Sequence, residues 1–109
     1  GEFFEPIKLK EDENDFKRCI FQNVICNGHF IYANNANVYC SFLLCLFYQI
    51  SVGLTQNYVL YLENTEEAIQ DRCCYSEETS SWIYGSTDLK FESVNSTICT
   101  NSNSYAPYC

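Results

Sequence analysis

Eight cysteines in a chain of 109 residues constrain the fold more than any other feature. They are Cys19, Cys26, Cys40, Cys45, Cys73, Cys74, Cys99 and Cys109. An even number in so short a chain reads as a disulfide framework, with pairings that sequence cannot choose. Zinc would need C-x-x-C with a second such pair or a histidine pair; the chain has no C-x-x-C and a single His. Each disulfide adds about 2–4 kcal/mol, so four would match the roughly 5–15 kcal/mol that a whole domain nets. A chain stapled in this way tolerates a thin core. It belongs in an oxidising compartment: secreted, luminal or at the cell surface. Asn95-Ser96-Thr97 fits the N-glycosylation acceptor pattern, in agreement with that placement. The start, Gly1-Glu2-Phe3-Phe4-Glu5, lacks the basic and apolar regions of a signal peptide, so a mature, already cleaved chain is expected.

Charge is distributed unevenly. Residues 1–18 hold six acids and four bases, whereas Cys19 through Leu62 contains no Asp, Glu, Lys or Arg. A run this long without charge must lie mostly inside, or form a surface that something else covers. The net charge is -8, which argues against nucleic acid, whose binding needs a basic footprint. The length suits one domain, residues 1–109, with 1–13 expected to be loose. No internal repeat stands out.

The apolar spacing predicts a mainly α fold of three to four short helices. Residues 14–26 place Phe16, Cys19, Ile20, Asn23 and Cys26 on one i, i+3, i+4 face, with Asn27-Gly28 as the stop. Residues 38–51 are apolar nearly all round, as in a central helix surrounded by others. That run is about 14–17 residues against the roughly 20 a membrane span needs, so no span is expected. Asn57 to Leu62 fits a strand or a helix, with a lean to helix. Asn64 with Glu67 opens a third helix at about 65–75. Ser76 caps a short fourth one ending near Gly85. Beyond Gly85 the chain reads as irregular, or as one short strand from Leu89 to Val94.

Nothing in the sequence specifies a reaction. His29 reads as a loop residue, and a Cys–His nucleophile would need a free thiol that an even cysteine count disfavours. The acid pairs Glu66–Glu67 and Glu77–Glu78 sit at expected helix starts rather than in a glycosidase pair. Asp12-Glu13-Asn14-Asp15 lacks the order of a calcium loop. No metal and no cofactor are expected. Aromatic residues make up 17%, more than so small a core hides. Tyrosine and tryptophan are favoured at protein interfaces. Phe30, Tyr32, Trp82 and Tyr84, each beside an expected turn, are therefore the candidate binding surface.

The Gly1-Glu2 start, the few bases, the absence of Met, the Cys19/Cys26 and Cys40/Cys45 segments and the terminal Cys109 together resemble the Euplotes-type mating pheromones of ciliates. That resemblance implies a secreted, acidic, disulfide-rich helical signal that binds a cell-surface receptor and self-associates, so a homodimer is a further expectation. The function expected is extracellular signalling by protein–protein contact, without catalysis. The alternatives are a parasite or venom-type protein that binds a host factor, and a small secreted hydrolase.

Overall fold

The computed structural model describes residues 5–34, 37–53, 57–63, 65–76, 83–85 and 89–99, apart from the side chains of 76 and 97–99. Twelve strands follow one another: β1 (Ile7–Lys8), β2 (Asp12–Lys17), β3 (Ile20–Ile25), β4 (Ile31–Ala33), β5 (Val38–Leu43), β6 (Leu46–Ser51), β7 (Leu60–Leu62), β8 (Glu67–Asp71), β9 (Cys74–Ser76), β10 (Ile83–Gly85), β11 (Lys90–Val94) and β12 (Thr97–Cys99). Every third strand pairs in parallel, giving the sheets β1-β4-β7-β10, β2-β5-β8-β11 and β3-β6-β9-β12. The chain therefore winds as a three-sided parallel β-solenoid, each coil contributing one strand to each wall. Each coil covers the apolar side of its neighbours, as in other repeat architectures.

The mainly α expectation is overturned: no helix occurs among the described residues. The reason lies in the corners. Within β5, Val38, Cys40 and Phe42 are buried and alternate with more exposed neighbours, the period of a strand. Leu44 then adopts φ 55, and Gln49 does so again at φ 54. Each such residue bends the chain and resets the alternation. The buried sequence becomes Cys40, Phe42, Cys45, Phe47, Ile50 and Val52, spaced two, three, two, three, two. The three-residue steps imitate a helix face. Leu46 takes the opposite face, in a small separate cluster with Cys74 and Tyr48, which made residues 38–51 look apolar all round.

The corner is repeated in every coil. Arg18, Leu44, Arg72 and Asn95 have φ 56, 55, 52 and 51. Left-handed backbone costs a non-glycine residue about 1–2 kcal/mol, and coil-to-coil hydrogen bonds hold it here. Arg18 N–H donates to Leu43 O at 2.8 Å, Leu44 N–H to Asp71 O at 3.0 Å, and Arg72 N–H to Val94 O at 2.8 Å. Just after each corner comes Cys19, Cys45, Cys73 or Ser96. Each side chain donates to the carbonyl two residues back, at 3.6, 3.4, 3.5 and 3.2 Å.

The disulfide framework is also overturned. No disulfide joins any of the described cysteines, and Cys19, Cys26, Cys40, Cys45 and Cys73 carry free thiols. They pack in or against the core as small residues, and the S–H groups of Cys19, Cys26, Cys45 and Cys73 are bonded to backbone carbonyls; Cys73 Sγ, for example, donates to Phe42 O at 3.2 Å. Cys74 is fully buried. The Cys99 side chain and Cys109 lie outside the described residues. The interior itself is large. Phe16 stacks on Phe42 at 4.9 Å between centroids and Phe21 on Phe47 at 5.1 Å, coil upon coil. The expected absence of an internal repeat fails with the helices. Of the first thirteen residues, expected to be loose, Ile7–Lys8 form β1 and Asp12 opens β2. Beyond Gly85, read as irregular or as one short strand, the chain forms two strands, β11 and β12.

Candidate binding face

The β1-β4-β7-β10 wall gathers the aromatic residues that bear on function. Its register sets Tyr32 beside Tyr61 and Tyr61 beside Tyr84. The flanking residues Ile31, Ala33, Leu60 and Leu62 are buried, so the tyrosines stand on the outer side. His29, in the loop before β4, lies on Tyr61 with centroids 4.0 Å apart and planes at 14°. Tyr61 stacks in turn on Tyr84 at 4.9 Å and 12°. Tyr58 leans against Tyr84 at 5.4 Å and against His29 at 5.9 Å. The result is a column of rings along the solenoid axis, ending at Tyr84, which is 39% exposed.

Polar bonds fix this column. The Tyr58 N–H donates to His29 Nδ1 at 2.9 Å, which places the imidazole proton on Nε2. Phe30 N–H donates to Tyr58 O at 3.1 Å, tying the same two loops together again. Burial lowers the His29 pKa from its ordinary 6.5. An imidazolium lying on Tyr61 would gain about 0.5–1 kcal/mol of cation–π attraction. A proton on Nδ1 would instead set donor against donor and leave the Tyr58 N–H unpaired, at about 1–3 kcal/mol. The neutral ring is therefore the form that fits. The Tyr61 hydroxyl donates to Glu63 Oε2 at 2.6 Å. Chiefly through that bond, and then through burial, the Tyr61 pKa is pushed up to about 12.

The neighbouring wall, β2-β5-β8-β11, carries a shallow depression of about 240 Å³ lined by Glu13, Asp15, Tyr39, Cys40, Ser41, Glu67 and Ile69. Ser41 Oγ donates to Asp15 Oδ1 at 2.7 Å. Burial, and then the Asp15 charge, pushes the Cys40 thiol up to about 12, far from a nucleophile. His29 does not line this depression, and Cys26 Sγ bonds the His29 carbonyl rather than its ring. Among the described residues no group of three or more His, Cys, Asp or Glu side chains has the geometry to hold a metal ion. No helix of the described residues is long and apolar enough to cross a membrane.

No family model, no curated protein and no solved structure matches this chain. Its site is therefore read from its own geometry.

Of the four expected surface residues, Tyr32 and Tyr84 lie on the aromatic wall. Phe30 does not: it is 3% exposed and packs edge-on to Phe21 at 5.6 Å inside the core. Trp82 lies outside the described residues. Asn95 is exposed at the fourth corner, where its φ of 51 turns the chain. Sequence reasoning missed His29, Tyr58, Tyr61 and Glu63. A signal for Tyr61 existed: Ile31-Tyr32-Ala33, Leu60-Tyr61-Leu62 and Ile83-Tyr84-Gly85 are one triplet written three times.

Proposed function

We propose that this chain is a secreted recognition protein of the pheromone-like kind, acting by contact with a cell-surface receptor, and that the aromatic wall is its docking face. The observation carrying this reading is the His29–Tyr61–Tyr84 column with Tyr58 beside it. Tyrosines offer large contact area with few rotamers to freeze and a hydroxyl at the rim, which is why they dominate binding hot spots. The net charge of -8 steers a basic partner by complementarity. An arginine laid on Tyr84 would gain cation–π attraction, with Glu63 one strand-end away. The free thiols withdraw the cysteine argument for an oxidising compartment. Extracellular placement now rests on the exposed Asn95 of the Asn-Ser-Thr acceptor pattern.

The test is surface binding of fluorescently labelled protein to cells of its own source and to foreign cells, with Tyr61→Ala/Tyr84→Ala as the comparison. The reading expects saturable binding to its own kind that falls at least about tenfold in the variant, with unchanged circular dichroism. Equal binding by both proteins would refute the docking face. Binding to foreign cells alone would favour a host-factor binder over a signal. Size-exclusion chromatography with light scattering tests the same-chain dimer.

A further inference from the structure

We infer that protonation of His29 takes the aromatic wall apart, so that the face is assembled near neutral pH and disperses in acid. This rests on the wall being the docking face, and names how that face is regulated.

The geometry leaves the imidazole little choice. Its Nδ1 is the acceptor for the Tyr58 N–H at 2.9 Å. A proton arriving at that nitrogen turns the contact into two donors facing each other, and the ring must leave. It leaves a place stacked on Tyr61 at 4.0 Å. Tyr61 is the ring on which Tyr84 stacks. Tyr58 loses one of the two bonds that tie its backbone to the His29 loop. The 57–59 segment is otherwise held by the Asn57 Nδ2 bond to Val52 O at 2.8 Å and by the two backbone bonds from Phe30 and Ile31.

The groups facing His29 do not oppose this. From its own loop comes the Cys26 thiol, bonded to the His29 carbonyl. From the segment that follows come Tyr58, whose ring lies 5.9 Å from the imidazole, and Tyr61, whose hydroxyl is pushed up to about 12. The Glu63 carboxylate is engaged by the Tyr61 hydroxyl. Lys8 stands in register with Tyr32 at the start of the row. Burial disfavours the charged ring, so the transition falls below the ordinary histidine value of 6.5.

The experiment is an NMR titration of the labelled full chain from about pH 8 to about pH 5. It follows His29 Cε1–H, exchange of the Tyr58 amide and the ring shifts of Tyr61 and Tyr84. The expected result is one transition below 6.5 in which Tyr58 amide exchange rises at least about tenfold beyond its ordinary pH dependence. The Tyr61 and Tyr84 rings should move with it. His29→Asn places a carbonyl oxygen where Nδ1 accepts the amide but takes no proton, and should abolish the step. A Tyr58 amide that stays protected while His29 titrates would overturn the inference. So would a His29 midpoint at or above 6.5. In the cell-binding assay the wild type should release in acid; wild-type binding that is unchanged in acid would also overturn it. Absence of cell binding at every pH would refute the docking reading instead, while the amide titration still decides whether the wall disperses.

Discussion

Truncation of Phe42 probes the solenoid where it is most committed. Phe42 is fully buried, stacked on Phe16 at 4.9 Å with planes at 11° and set edge-on to Phe47 at 5.4 Å. Removing a buried phenylalanine costs about 3–5 kcal/mol. A urea m-value of about 1–3 kcal/mol per molar turns this into a midpoint drop of roughly 2 M. Phe16, in the first coil and only half-buried, should cost roughly 1–2 kcal/mol on truncation. The double variant separates burial from contact. Stacked rings in neighbouring coils should couple by about 0.5–1.5 kcal/mol. Urea unfolding followed by circular dichroism measures all four corners of the cycle. Should Phe42→Ala fail to fold, Phe42→Leu at about 1–2 kcal/mol keeps the cycle measurable. A coupling of zero between Phe16 and Phe42, with both single variants folded, would refute coil-on-coil stacking at this position.

Three further outcomes follow from the same structure. Arg18→Gly removes a left-handed non-glycine corner at φ 56 and should raise stability by about 0.5–1 kcal/mol in urea unfolding; a loss would show that the Arg18 side chain holds the corner. Alkylation in denaturant without reductant should modify Cys19, Cys26, Cys40, Cys45 and Cys73, the free thiols of the described residues. Recovery of these as crosslinked peptides by mass spectrometry would contradict the fold. The Cys40 thiol lies near 12 when folded against 9.0 ordinarily. Its contribution to stability is therefore complete below 9.0 and is lost as pH rises towards 12; Cys40→Ala should flatten that alkaline decline, and an unchanged decline counts against a buried Cys40.

Much of this architecture was written in the chain in a form that helix periodicity obscured. Phe16-Lys17-Arg18-Cys19-Ile20-Phe21 and Phe42-Leu43-Leu44-Cys45-Leu46-Phe47 share the pattern F-x-x-C-x-F, and the pairing lays one upon the other. Gln70, Cys73 and Tyr75 continue it with a polar and a hydroxylated substitute. The three-residue step across each corner supplied the i, i+3 matches of a helix, while the two-residue steps within the strands passed as its edge. Left-handed φ at Leu44 and Gln49 carries no glycine to announce it, because neighbouring coils, not local propensity, hold those residues. The cysteines misled for a related reason. Their spacing reflects inward positions of successive coils, where a thiol packs as a small apolar group. The aromatic wall was half legible: tyrosines beside turns pointed to Tyr32 and Tyr84. His29 and Tyr58 join them only through the stacking of two loops distant in sequence.

The stacking of coils is tested most directly by nuclear Overhauser contacts among the rings of His29, Tyr61 and Tyr84 in the native protein near neutral pH. The account predicts cross-peaks from the His29 imidazole to Tyr61 and from Tyr61 to Tyr84, together with extended-chain shifts at 38–51. Sequential amide contacts typical of helix across 38–51, with no His29–Tyr61 cross-peak, would contradict it.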